Sequence, residues 1–112
     1  MEIKFARIIW NSQWLRTRSH RIRSDGKYYA VLCDGEELRQ HHAWSVWFVP
    51  LGQDAPRASV IAFSLLDDTA AAHERSDRLV PGSSFFLLEG PNLLGRGEVV
   101  EAQGGAHEIQ NL

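Results

Sequence analysis

Cysteine and long apolar runs are scarce in this chain of 112 residues. Cys33 is the only cysteine, so the chain cannot form an internal disulfide, and a lone thiol is typical of a reducing compartment. No apolar run reaches the length of a transmembrane helix, and the first residues lack the layout of a secretory signal. We therefore expect a cytoplasmic protein with one domain over residues 1–103 and a frayed tail over residues 104–112.

The residue patterns of common catalytic and metal sites are also missing. The five histidines have no cysteine pair or second histidine at the spacing that metal sites use. A catalytic thiol needs a cationic neighbour, whereas Cys33 is followed by Asp34. Residues 90–95 have the Gly-x-x-x-x-Gly spacing of a phosphate loop, but Arg96 and Gly97 follow where Lys and then Ser or Thr are required. We expect no enzyme activity, no metal and no cofactor.

What the chain has instead is a series of short runs rich in β-branched and aromatic residues. Turn signals separate six of these runs, and Pro50 is expected to end the third. Between the fourth and fifth runs, Asp68 is the predicted N-cap of a short helical turn around residues 68–76. The pattern predicts an all-β barrel or sandwich. The six runs cover residues 3–10, 28–33, 43–49, 57–66, 85–88 and 98–102.

The last two runs carry a more specific pattern. Residues 85–90 read Phe-Phe-Leu-Leu-Glu-Gly, and residues 95–100 read Gly-Arg-Gly-Glu-Val-Val. This pattern resembles the final hairpin of the C-terminal β-barrel domain of elongation factor Tu, and residues 3–9 are similar to its first strand. The resemblance covers about residues 2–102 and implies a six-stranded antiparallel barrel. Residues 21–29 lack the family's aminoacyl-tRNA signature, and no GTPase motif is present, so the chain resembles a stand-alone barrel with a different use.

Charge is divided unevenly along the sequence. The first 30 residues contain seven basic and two acidic residues, whereas the rest of the chain contains five basic and twelve acidic residues. Folding could mix these two parts over the surface or keep them apart as charged faces. Basic side chains neutralise phosphates and nearby aromatic rings stack on bases, so an RNA-binding barrel is the alternative function. Its candidate RNA-binding residues are Arg16, Arg18, Arg21, Arg23 and Lys27.

The favoured interpretation is a protein-binding barrel. Exposed tryptophan beside arginine is the composition of an interface hot spot, and Trp44 and Trp47 should face opposite sides of their strand. Acidic side chains outside the first 30 residues would complement a basic partner. The most specific version of this hypothesis is an immunity protein or antitoxin that neutralises a basic nuclease toxin. The candidate protein-binding residues are Trp14, Trp44, Trp47, Asp34, Glu36, Glu37, Asp67, Asp68, Glu74 and Asp77.

Overall fold

The fold is a closed barrel of antiparallel strands. The computed structural model describes residues 2–17, 22–34, 43–55 and 57–101. These residues form the strands β1 Lys4–Trp10, β2 Tyr28–Asp34, β3 Ala43–Ala55, β4 Ala58–Leu65, β5 Ser84–Glu89 and β6 Asn92–Val100, and the helices α1 Ser12–Thr17 and α2 Ala70–Arg78. The strands lie in the order β1-β4-β3-β2-β5-β6, and β6 pairs with β1 to close the barrel. The prediction of an all-β, six-stranded antiparallel barrel is confirmed.

The antiparallel order gives the barrel two distinct ends. β1 runs from Lys4 at one end to Trp10 at the other, and its neighbours β4 and β6 run the opposite way. Helix α1 and residues 22–27 connect β1 to β2 at the end near Trp10, which we call the α1 end. Helix α2 connects β4 to β5 at the opposite end, which we call the α2 end. Every candidate side chain can therefore be assigned to one of these ends or to the wall between them.

Alternation along each strand fills the barrel with apolar side chains. On β1, Ala6, Ile8 and Trp10 are buried, whereas Arg7 and Ile9 face outward. Phe63 and Phe85 contact each other across the interior with ring centroids 5.4 Å apart. The other inward-facing core residues of the strands are Leu32, Val46, Phe48, Ile61, Leu65, Leu87, Leu94 and Val99.

Two inward-facing glycines bring β6 unusually close to this core. A Cβ atom on Gly97 would lie 2.6 Å from Phe85 Cζ and closer still to Ile8 Cδ1. A Cβ atom on Gly95 would lie 2.8 Å from the backbone oxygen of Ile9. Both glycines are buried and have ordinary strand backbone, so it is the space that requires glycine at these positions.

The strand and helix boundaries correct several expectations. β3 continues past Pro50, because the pairing with β4 shifts register between Pro50 and Gly52, and a bulge of this kind tolerates proline within a strand. β6 begins at Asn92, well before the predicted start at residue 98, directly after a two-residue turn that opens with Gly90 at φ 57°. Helix α1 was not predicted. The predicted frayed tail over residues 104–112 lies outside the described residues.

Helix α2 begins one residue later than predicted. Its N-cap is Thr69, whose hydroxyl oxygen accepts a hydrogen bond from the Ala72 backbone N–H at 3.1 Å. The prediction of Asp68 as N-cap is therefore wrong, because the Asp68 carboxylate is bonded instead to the ring of His73 at 2.7 Å. Ala72 and Ser76 are the buried residues of this helix and face the α2 end.

Candidate functional site

Two tryptophans close the α1 end from inside. Trp10 and Trp14 stack with ring centroids 4.4 Å apart, and Trp14 is only 2% exposed. Asn11 holds α1 in place: its side-chain oxygen accepts from the Trp14 backbone N–H at 3.0 Å, and its amide group donates to the Leu93 carbonyl. Trp14 was a candidate protein-binding residue, and the structure places its side chain in the core, where it offers a partner no surface.

The other two tryptophans occupy opposite faces of β3, as their spacing indicates. Trp44 faces inward at the α2 end and packs, partly buried, against the core. Its indole N–H has no acceptor among the residues that the structure describes. Trp47 faces outward, and the Lys27 ammonium lies 4.6 Å from its ring centroid. Trp47 is therefore the tryptophan that a partner could reach.

Trp47 belongs to a surface that combines aromatic rings with cations. Tyr29 lies directly opposite Trp47 in the pairing of β2 with β3, so the two side chains share one outer face. The Arg23 guanidinium lies 5.9 Å from the Tyr29 ring centroid. Cations over ring faces are attracted by the ring quadrupole, which holds the four side chains in one arrangement. We call Arg23, Lys27, Tyr29 and Trp47 the basic–aromatic surface.

A tight turn positions these cations beside the rings. The Arg23 backbone N–H donates to the Lys27 carbonyl at 2.9 Å, and Gly26 adopts φ 79°, which glycine tolerates without strain. The Asp25 carboxylate accepts from the Lys27 backbone N–H at 2.9 Å and from the Tyr29 hydroxyl at 2.5 Å. Asp25 was not among the predicted site residues, although Asp25-Gly26 is a turn signal that could have indicated it.

The bond between Asp25 and Tyr29 changes how both groups titrate. The Tyr29 hydroxyl, followed by the Lys27 backbone N–H, lowers the pKa of Asp25. The Asp25 carboxylate raises the pKa of Tyr29 above its ordinary value of 10.0. Asp25 therefore stays ionised at neutral pH and places a negative charge within the basic–aromatic surface.

The acidic candidate residues gather at the opposite end of the barrel. Asp67 and Asp68 follow β4 there, and Glu74 and Asp77 lie on the exposed side of α2. Asp68 and Glu74 are already engaged locally, since Asp68 bonds His73 and Glu74 accepts from Arg78 at 2.7 Å.

The remaining candidate residues follow the same division. Asp34 ends β2 at the α2 end, and its side chain, like Glu36 and Glu37, lies outside the described part of the chain. Arg16 lies exposed on α1, at the same end as Arg23 and Lys27. Arg18 and Arg21 fall in the gap at residues 18–21. The charge division of the sequence thus becomes, in the described residues, a basic α1 end and an acidic α2 end, with Asp25 and Arg75 among the exceptions.

Comparison with known proteins adds no assignment to these surfaces. Within the described ranges, no three His, Cys, Asp or Glu side chains lie close enough together to hold a metal ion. No helix in the same ranges is long and apolar enough to cross a membrane. Comparisons of the chain with protein-family models, curated proteins and solved structures found no match, so the resemblance to the elongation factor Tu barrel stays a prediction.

Proposed function

We propose that this barrel is a non-enzymatic module that binds another protein through the basic–aromatic surface. The observation that supports this most directly is the outward pairing of Trp47 with Tyr29, each beside a cation. Trp, Tyr and Arg carry most of the energy in protein interfaces, because they combine large apolar area with polar ends. Both aromatic side chains start from ordered positions, so binding costs little side-chain entropy.

Asp25 favours protein over RNA as the partner. Its carboxylate lies between Arg23 and Lys27 in sequence and is held ionised by Tyr29 and by the backbone of the turn. A fixed negative charge opposes a phosphate backbone passing over this surface. A protein partner can instead present a hydrogen-bond donor to the carboxylate and acidic groups to the cations.

The acidic α2 end supports the more specific version of the proposal. Asp67 and Asp77 are both exposed at this end. Among the described residues, no basic side chain forms an ion pair with Asp77. An immunity protein or antitoxin for a basic nuclease would place this end on the cationic surface of the toxin, where charge complementarity speeds association. The two ends would then engage different regions of a partner or different partners.

The RNA-binding alternative has one specific observation in its favour. Arg23 and Lys27 lie beside the outward-facing rings of Tyr29 and Trp47, and Arg16 lies at the same barrel end as these two cations. Proteins that bind single-stranded RNA combine basic tracks with stacking rings in this way. Binding of this kind would weaken steeply with salt, because each neutralised phosphate releases counterions.

One affinity-capture experiment separates these possibilities. The tagged wild-type protein, Trp47→Ala and a double variant with Asp67→Asn and Asp77→Asn are each used to capture partners from native extract, with and without ribonuclease. We expect one stoichiometric protein that survives ribonuclease and is lost with Trp47→Ala. Loss with the double variant alone would move the interface to the acidic α2 end. Loss of every partner with ribonuclease would favour RNA binding and refute the proposal.

A further inference from the structure

A second surface lies on the side of the barrel opposite Trp47. It is a groove of about 440 Å³ on the outer face of β1, β6 and β5. Its volume falls within the range of about 300–1,000 Å³ that ligand sites occupy. Its lining residues are Arg7, Ile9, Ser84, Phe86, Arg96, Gly97 and Glu98.

The inward glycines of β6 explain why the outer face is concave here. Gly97 lets the β6 backbone approach Ile8 and Phe85 more closely than any residue with a Cβ atom could. A strand that sinks toward the barrel axis leaves a depression on its outer side, between the side chains of its two neighbours. Ile9 on β1 and Phe86 on β5 form the walls of that depression.

The register of the three strands arranges the groove in two rows. Arg96 lies directly opposite Ile9 on one side and Phe86 on the other, so its cation stands between two apolar side chains. Glu98 lies directly opposite Arg7 and Ser84 in the next row. Ile9 is 54% exposed and Phe86 is half-buried, so both present apolar area to a ligand.

Two opposite charges in this groove are available for binding. The side chains of Arg96 and Glu98 form no hydrogen bond or ion pair with another described residue, although they share one face of β6. Residues two apart on a strand repeat about every 7 Å, which keeps these charges separate. An extended peptide repeats its side chains at the same spacing, so its acidic and basic groups can meet both charges at once.

We propose that this groove binds an extended peptide segment of a partner protein that carries an acidic and a basic side chain two positions apart. The acidic group pairs with Arg96, the basic group pairs with Glu98, and an apolar residue two positions from the acidic one, on the same face of the peptide, packs on Ile9 and Phe86. Each described strand pairs with a neighbour on both sides, so recognition uses side chains and not addition of a strand. The proposal rests on other residues than the basic–aromatic surface and is independent of the proposed function.

Fluorescence anisotropy with labelled synthetic peptides tests this assignment. The probe peptide carries Leu, Asp and Lys at alternate positions, and two further peptides replace Asp by Asn or Lys by Gln. They are titrated with the wild-type protein, Arg96→Gln and Glu98→Gln, and with Arg57→Gln at the α1 end as the matched control. We expect Arg96→Gln and Glu98→Gln each to weaken binding about three- to tenfold at low salt, and Arg57→Gln to leave it unchanged.

A double-mutant cycle identifies which charges meet. If Arg96 contacts the peptide aspartate, Arg96→Gln no longer weakens binding of the peptide in which Asn replaces Asp. If Glu98 contacts the peptide lysine, Glu98→Gln no longer weakens binding of the peptide in which Gln replaces Lys. The proposal is overturned if the wild-type protein does not bind the probe, if both variants bind it normally, or if the effects add independently. Circular dichroism of each variant verifies that the barrel is intact.

Discussion

Replacing Gly97 by alanine tests whether the packing of β6 against the core limits this fold. The new methyl group would lie 2.6 Å from Phe85 Cζ and closer to Ile8 Cδ1, and both neighbours are completely buried. Gly97 has ordinary strand backbone, so alanine meets no conformational strain there. Two contributions to stability therefore remain. Steric crowding of the new methyl group destabilises the folded state, and the lower chain entropy of alanine destabilises the unfolded state.

The two contributions differ in size. Inserting a methyl group into a packed core costs about 1–3 kcal/mol, because neighbouring side chains leave their preferred rotamers or the backbone shifts. Exchanging glycine for alanine where the backbone permits it gains about 0.4–1 kcal/mol through the unfolded state. We expect Gly97→Ala to lower the free energy of unfolding by about 1–2 kcal/mol, which equilibrium denaturation in urea measures directly.

A second substitution shows whether Ile8 is the obstacle. Ile8→Val removes the Cδ1 atom that the new methyl group would meet, and alone it should cost about 0.5–1.5 kcal/mol. Combined with Gly97→Ala, it should cost less than the sum of the single substitutions, since each relieves the other. Phe85 remains close, so the recovery should be partial. Additive losses, or a Gly97→Ala protein as stable as wild type, would refute this account of the packing.

Three further substitutions test the ends of the barrel. Trp14→Ala should lower the free energy of unfolding by about 3–5 kcal/mol, because it empties the stacked core under α1. Thr69→Ala should cost about 1 kcal/mol by leaving the Ala72 N–H without its cap. Asp25→Asn should lower the pKa of Tyr29 toward its ordinary value of 10.0, measured by phenolate absorbance. In wild type, the hydrogen bond from the Tyr29 hydroxyl to the Asp25 carboxylate stabilises the fold below pH 10.0. Its contribution is lost as the pH rises through the raised pKa of Tyr29. On the acid side it is present above pH 3.8 and is lost as the pH falls through the lowered pKa of Asp25.

Each of these has a matched control. Arg16→Ala changes an exposed residue of the same helix as Trp14 and should alter stability by less than about 0.5 kcal/mol. Thr69→Ser keeps the capping oxygen and should retain most of the stability. Tyr29→Phe assigns the shifted titration, since the chain has only one other tyrosine. An unchanged titration in Asp25→Asn, or equal losses in a variant and its control, would contradict the corresponding contact.

The strand pattern was predictable because each strand has one face in the core. The period of two along β1 is enough to place Ile8 and Ile9 on opposite faces of the strand, and the barrel buries Ile8 and leaves Ile9 outside. The boundary at Pro50 could not be predicted in this way, because the bulge that accommodates the proline depends on pairing with β4, which the local sequence does not reveal. Helix α1 was missed for a related reason: its six residues are too few to be stable alone, and they owe their structure to Asn11 and to the burial of Trp14.

The candidate surfaces were only partly predictable. The sequence identified three residues of the basic–aromatic surface but assigned them to two different partners. Arg23 and Lys27 were candidates for RNA binding, whereas Trp47 was a candidate for protein binding. Only the register of β2 with β3 shows that they share a surface with Tyr29. The groove at Arg96 had no sequence signal beyond the glycine pair, because its walls come from β1 and β5, which are far apart in the sequence.

The separation of charge follows from the order of the strands. The described part of the connection from β1 to β2 contains Arg16, Arg23 and Lys27, and antiparallel pairing fixes it at the α1 end. The connection from β4 to β5 carries Asp67, Asp68, Glu74 and Asp77, and the same pairing fixes it at the α2 end. The electrostatic field of the two ends therefore orients the barrel relative to a charged partner before the two proteins touch. Exchanging the charges of one end should change the rate of association far more than the rate of dissociation, and this dependence should weaken as salt is added.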